Sequence, residues 1–299
     1  MGKMMKKLGT ALFACALALA VAPAANAGTH RSLQVVALGD SYAAGTGAGD
    51  YEPGTDGVCY RSANSAAAVV VSDLRSRGKK VDFANVMCSG AAIPDLSTAF
   101  KGEAPQLDSL KTTTDLVLLT IGGNDVSFAD YAGFCIQADC TGSRLVLDQL
   151  PSMTTELTAL LGEIKHRSPR ARVVLGGYGR AFSPAANAPD VPLDPICGDG
   201  ILTLPERAEG AEVSKGVDRA IRDGVRAARR DGVNAVYASA YTDGGTLRAE
   251  FEGHSACQAG TPFYRGLDAL APGQEGPVAV LHPSKAGQAA FAKLLECAL

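Results

Sequence analysis

Leu33-Gln34-Val35-Val36-Ala37-Leu38-Gly39-Asp40-Ser41-Tyr42-Ala43-Ala44-Gly45 is the stretch that decides the fold. Its first part, Leu33–Leu38, is a short and largely apolar run, the pattern of a strand buried on both faces. It passes without a spacer into a turn bounded by Gly39 and Gly45. Four more runs of the same kind follow at Val81–Val86, Leu116–Ile121, Ala171–Leu175 and Val233–Tyr237. Helical patterns separate them. Ser62–Arg77 is rich in Ala and Val and ends at Gly78, a position suited to a helix C-cap. Leu145–His166 is long and amphipathic and stops before Ser168-Pro169. Leu204–Asp231 ends at Gly232, and Pro283–Ala298 opens with a proline in its first turn. Strands alternating with helices predict an α/β domain. We expect three α/β/α layers around a parallel sheet of about five strands. Gly179–Gly200 and Tyr241–Val280 fit no regular element, and loops of that length are usually functional or covering.

The ends of the chain place this domain in a cell. Lys3, Lys6 and Lys7 precede an apolar run from Leu8 to Val21, then Pro23 and the small-x-small triplet Ala25-Asn26-Ala27. That order predicts a signal peptide over 1–27, cleaved after Ala27, and a secreted, extracellular product at 28–299 read as a single domain. The apolar run falls short of the ~20 residues that a membrane anchor needs. The whole chain holds 28 basic and 31 acidic residues, and losing three lysines leaves it more acidic. Arg226–Arg230 is the one basic cluster, and it sits inside a helical pattern, so nucleic-acid binding is not expected. Without Cys15, seven cysteines remain, and in an exported protein they read as disulfides. Pairing sequence neighbours gives Cys59–Cys88, Cys135–Cys140 and Cys197–Cys257 and leaves Cys297 over, although spacing alone fixes no connectivity. There is no CxxC, and the histidines are His30, His166, His254 and His282. No metal site is expected.

Three of the strand-like runs end in turns that combine glycine with a polar residue. In open parallel sheets, ligands bind beyond the carboxyl ends of the strands. Ser41 follows the first run and could present its hydroxyl to a pocket there, or serve only as a helix N-cap. The second run ends in Cys88-Ser89-Gly90-Ala91, where Gly90 could offer a backbone N–H, or simply turn the chain. The third ends in Ile121-Gly122-Gly123-Asn124-Asp125, where Asn124 could donate its amide to a developing oxyanion or cap a turn. Near the C-terminus, Leu281-His282-Pro283-Ser284 lies just before a helix, which could return His282 to the same sheet edge as a general base. Asp40 adjoins Ser41, but side chains alternate along a strand, so we expect it to point away and brace the turn.

Taken together, these four segments resemble the four blocks of the SGNH/GDSL hydrolase family, in order and across nearly the whole mature chain. The signal peptide, the cysteine pattern and Gly39–Gly45 are similar to its secreted actinobacterial lipase and esterase branch. The resemblance implies a flavodoxin-like α/β/α fold with no metal or organic cofactor. It implies that Ser41 attacks the ester carbonyl and His282 relays the proton. It gives the backbone N–H groups of Ser41 and Gly90 and the side chain of Asn124 the role of oxyanion hole. One departure stands out: the family places Asp three residues before its histidine, and Ala279 holds that position here. A backbone carbonyl, that of Ala279 being the nearest candidate, could then fix the histidine tautomer, or Glu275 or Asp268 could reach in from the loop.

The implied activity is that of a lipase or carboxylesterase on an ester or lipid substrate, working as a monomer without a stable membrane anchor. A short-chain acetyl or aryl esterase has the same chemistry, and a non-catalytic binding protein would fit the missing Asp. Val191, Leu193 and Ile196 in one long loop, and Phe251, Phe263 and Tyr264 in the other, could wall an acyl pocket or merely pack those loops. The absence of Trp disfavours a polysaccharide platform.

Overall fold

The computed structural model describes residues 31–138, 142–185, 187, 193–198 and 201–299. The predicted signal peptide, Cys140 and the loop residue Val191 lie outside the described residues. Within them, five strands, β1 (Leu33–Gly39), β2 (Val81–Asn85), β3 (Leu116–Thr120), β4 (Arg172–Gly176) and β5 (Ala235–Ala238), form one sheet in the order β2-β1-β3-β4-β5. Every pairing is parallel, with Ala37 opposite Asn85, Gly39 opposite Thr120 and Gly176 opposite Ala238. The three central strands are buried, with Val35, Ala37, Leu38, Val117, Val173, Val174 and Leu175 at most 1% exposed, whereas the edge strands β2 and β5 are only partly buried. Parallel strands lie between helical layers, so neither side chain face needs to be polar.

Among the described residues, seven helices complete the fold: α1 (Ser41–Ala44), α2 (Ala66–Ser76), α3 (Phe128–Gln137), α4 (Ser143–Leu147), α5 (Leu150–Arg167), α6 (Leu204–Arg230) and α7 (Lys285–Cys297). Helix α2 packs on α7, and α5 packs on α6. Parallel crossovers are right-handed as a rule, and with β2 and β4 on opposite sides of the β1–β3 pair this puts the two helix pairs on opposite faces of the sheet. Helix α5 buries Met153, Leu157, Leu160, Leu161 and Ile164, a stripe at helical spacing that turns one side to the core. Each such side chain stabilises the fold by about 1.5–3 kcal/mol when fully buried. The predicted 145–166 helix is in fact two, α4 and α5, with Pro151 in the first turn of the second. Proline has no N–H to carry a helix across that point. Helix α3 was not expected from the sequence.

Between β1 and β3 the strand order reverses, since the chain leaves β1 toward β2 on one side and then crosses to β3 on the other. That switch point opens a crevice at the carboxyl edge of the sheet. Two disulfides among the described residues, Cys59–Cys88 and Cys197–Cys257, follow the neighbour pairing. Of the third expected pair only Cys135 is described, buried in α3. Cys297 lies exposed at the end of α7. No helix among the described residues is long and apolar enough to cross a membrane.

Candidate active site

The crevice is built first from a glycine. Gly39 has φ +132°, and a Cβ there would fall 2.1 Å from the Thr120 carbonyl oxygen. Only glycine lets the end of β1 lie this close to β3. Its peptide groups are gripped by the Gln106 side chain, whose Oε1 accepts from the Gly39 N–H at 2.7 Å and whose Nε2 donates to the Gly39 carbonyl at 3.0 Å. Asp40 then caps α1, its carboxylate accepting from the N–H groups of Tyr42 at 2.9 Å and Ala43 at 3.4 Å. Gly45, in the left-handed region, ends the helix after one turn. Ser41 is thereby fixed at the first position of α1, and its N–H finds no acceptor among the described residues.

His282 arrives from the far end of the chain. Its Nε2 lies 2.7 Å from the Ser41 hydroxyl oxygen, and its Nδ1 lies 3.3 Å from the Val280 carbonyl. The expected carbonyl was that of Ala279, and this is a correction. The Ala279 carbonyl accepts the backbone N–H of His282 at 3.0 Å and so closes the turn itself, which leaves Val280 to face the ring. Glu275 and Asp268 do not reach the histidine either. Arg265 holds both, Asp268 at 2.7 Å and Glu275 at 3.6 Å. With Nδ1–H donated to a carbonyl, Nε2 is the ring nitrogen that accepts from serine. Burial lowers the His282 pKa to about 4, with the Val280 carbonyl acting in the opposite direction. The imidazole is therefore neutral at neutral pH, with the Nε2 lone pair available to the serine proton.

The loop carrying His282 is tied to α1 by its neighbours. Tyr42 donates its hydroxyl to the Leu281 carbonyl at 2.7 Å, and Leu281 itself takes a left-handed φ of +61°. Gly47 lies behind the ring, where a Cβ would come within 3.0 Å of the His282 Cβ.

Two more donors face Ser41 across the crevice. Cys88–Ala91 forms a turn closed by the Ala91 N–H on the Cys88 carbonyl at 3.2 Å, with Gly90 at φ +88°. The Gly90 N–H has no acceptor among the described residues. Asn124 donates one amide proton to the Ala91 carbonyl at 2.8 Å, which leaves its second for the crevice. Tyr178, which the sequence reading passed over, joins the two turns. Its hydroxyl accepts from the Gly123 N–H at 2.8 Å and donates to the Asp40 carboxylate. Asp40 is 1% exposed, and desolvation pushes its pKa up to about 7 against the pull of these hydrogen bonds. Asp40 borders the cleft, but its carboxylate is taken up by the α1 N–H groups and so braces the turn, the role expected for it. Tyr178 lies two residues beyond β4, so the rule that singled out the first three strand ends would also have found the fourth.

The crevice opens into a cleft of about 560 Å³ whose floor is Ser41, Gly90, Asn124 and His282. One wall is α3, through Phe128, Ala132 and Ile136, and the other comes from Leu267, Leu270 and Val278. The second long loop thus frames the pocket, but not with its aromatics. Phe251 and Tyr264 are 3% exposed and pack in the core, and Phe263 stacks with His254. No described residue of Gly179–Gly200 lines this cleft.

A serine hydroxyl on a neutral imidazole, in a cleft that Gly90 and Asn124 also line with N–H donors to spare, is equipment for acyl transfer through an oxygen nucleophile. The chain belongs to the GDSL-like lipase/acylhydrolase family, whose model matches residues 37–290. It is similar to Lipase 2 of Streptomyces coelicolor, with 33% identity in an alignment of 289 positions that covers 92% of this chain and 88% of that one. The crystal structure of an extracellular lipase from Streptomyces rimosus matches it with a TM-score of 0.64 at 25% identity, over 90% of this chain and all of that one. The phospholipase A1 of Streptomyces albidoflavus matches with a TM-score of 0.65 at 25% identity, over 89% and 99%. The protein is an ester hydrolase of the lipase and esterase class.

Proposed function

We propose that this enzyme hydrolyses acyl esters of lipids through Ser41 and His282, and that residues 28–299 do so as a secreted, single-domain monomer once 1–27 are removed. The observation that carries the reading is the 2.7 Å contact between Ser41 Oγ and His282 Nε2. It spans 241 positions of sequence and serves no capping or core-packing purpose. As Ser41 attacks the ester carbonyl carbon, its proton passes to Nε2, and the carbonyl π electrons move onto oxygen. The N–H groups of Ser41 and Gly90 and the free amide proton of Asn124 receive that oxyanion. Collapse of the intermediate expels the alcohol, which takes the proton from His282. Water then repeats the sequence on the acyl-enzyme and releases the acid. The Val280 carbonyl orients the ring but stabilises the imidazolium less than a carboxylate would.

The apolar walls from α3 and from residues 267–280 favour an acyl chain in the cleft. The test is hydrolysis of p-nitrophenyl esters from acetate to palmitate by the wild type and by Ser41→Ala. Loss of at least about 10³-fold in kcat in the variant is expected for a missing nucleophile, together with an optimum beyond butyrate. Unchanged activity in Ser41→Ala would remove Ser41 from the mechanism. A strict preference for acetate would replace the lipase reading with a short-chain esterase.

A further inference from the structure

Opposite the nucleophile, the peptide between Ser89 and Gly90 carries one of the donors just assigned. It is the central peptide of the Cys88–Ala91 turn, and Gly90 at φ +88° makes that turn type II. Type I and type II turns differ by a flip of this peptide. In one orientation the Gly90 N–H faces the crevice. In the other, the Ser89 carbonyl would take its place and repel an oxyanion. Glycine at the third position allows both at little steric cost, so something outside the turn must choose.

Lys101 occupies the place from which that choice can be made. Its Nζ donates to the Ser89 carbonyl at 2.7 Å and to the Val58 carbonyl at 3.2 Å. The ammonium lies beside Gly90, 3.3 Å from where a Cβ would stand. A trans peptide directs its C=O and N–H to opposite sides, so a cation on the Ser89 oxygen turns the Gly90 hydrogen away from itself. A charge-assisted hydrogen bond is stronger than a neutral one and also polarises the amide it binds.

The lysine is itself held in place. Phe100 and Glu103 exchange backbone hydrogen bonds at 3.1 and 2.9 Å across Lys101 and Gly102, and both central residues have positive φ, 51° and 83°. That is a type I′ turn, a conformation a non-glycine residue such as Lys101 seldom takes. Glu103 pairs at 3.0 Å with the buried Arg61, which also donates to the Met87 carbonyl at 3.3 Å, one residue before the Gly90 turn. The hairpin and the turn are thus anchored to the same guanidinium.

We infer that Lys101 is a positioning residue for ester hydrolysis, holding the Ser89–Gly90 peptide in the one orientation that aims its N–H at the oxyanion. The inference rests on the reading of Gly90 as an oxyanion donor. Lys101→Met keeps the length of the stem and removes the charge. It is expected to lower kcat on p-nitrophenyl butyrate about tenfold, part of the ~10²–10³ lost when a donor is deleted outright, with KM changed less than twofold. Inhibition by butylboronic acid, whose serine adduct is tetrahedral and anionic, should weaken by the same factor as kcat. The Gly90 amide signal in a ¹H–¹⁵N spectrum should shift, and Lys101→Arg, which keeps a charged donor, should recover kcat to within about threefold of wild type. A Lys101→Met enzyme with unchanged kcat and unchanged boronate inhibition overturns the inference. So does a fall in kcat that leaves the Gly90 amide unmoved. Full activity in Ser41→Ala would instead sink the underlying mechanism, and the Gly90 amide would still show whether Lys101 sets that peptide.

Discussion

In the proposed mechanism His282 has no carboxylate behind it among the described residues, and its acid–base behaviour follows. A charged partner would favour the imidazolium; a carbonyl does so weakly, and burial lowers the pKa to about 4. We expect kcat/KM to stay level down to about pH 5 and to fall only as pH drops through about 4, where the free enzyme's base is protonated. An acid limb centred near the ordinary histidine value would contradict this. Asp40 works in the opposite sense. Its folded pKa is raised to about 7 from 3.8, so the stability it contributes is complete below 3.8 and is lost as pH rises through about 7. The His282 contribution is lost as pH falls from 6.5 toward 4 and is constant above that window. Between pH 6.5 and 8, then, the wild-type Tm should decline, and Asp40→Asn, which retains the capping oxygen, should flatten the decline. Tyr178→Phe deprives both Asp40 and the Gly123 N–H of a partner. It should cost about 1–3 kcal/mol in denaturant unfolding and lower kcat as well.

Helix α3 lines the cleft, and we expect it to set which acyl chains fit there. A Cβ at Gly133 would meet nothing within 4 Å, and the residue faces the cleft. Gly133→Phe should therefore fold, gaining up to about 1 kcal/mol of helix propensity from loss of the glycine, while moving the ester optimum to shorter chains. An unchanged chain-length profile would take α3 out of substrate selection. This helix is also where the sequence was least legible. It begins after Ser127 at φ +52° with no side-chain cap, so neither an N-cap residue nor an expected backbone marks its start. The five strands and the helices α2, α5, α6 and α7 were readable because each is a long run with a single period, closed in most cases by Gly or Pro. Residues that point to the substrate from strand ends were readable for a related reason: a Gly-plus-polar turn after an apolar run is local. Gln106 and Lys101 act across 67 and 12 positions of sequence, and no local pattern announces them, whereas Tyr178 follows Gly176-Gly177 at the end of β4. The carbonyl facing His282 was misplaced by one residue because which oxygen a turn consumes depends on its dihedral angles. Phe251 and Tyr264 illustrate the converse: an aromatic in a long loop can belong to the core.

At the scale of the molecule, the two described disulfides should separate stability from catalysis. Cys197–Cys257 closes 60 residues and Cys59–Cys88 closes 29, and chain entropy assigns each about 4 kcal/mol. Replacing Cys197 and Cys257 by Ser should lower Tm by about 8 °C or more and leave kcat at 25 °C near wild type, since neither residue lines the cleft. Replacing Cys59 and Cys88 should lower Tm and kcat together, because Cys88 opens the turn that carries Gly90. Equal kcat losses in the two double variants would mean that the cleft senses global rather than local loosening. The distance along the chain between Ser41 and His282 has a consequence for synthesis. A ribosome that has made the entire sheet and helices α1 to α6 has still produced no base for the serine. If Ser41 and His282 act as proposed, the nascent chain is expected to stay inert toward esters until His282 has emerged and reached Ser41. On the proposed mechanism, the order of the chain thus acts as a safety catch: the serine is translated 241 positions before its base.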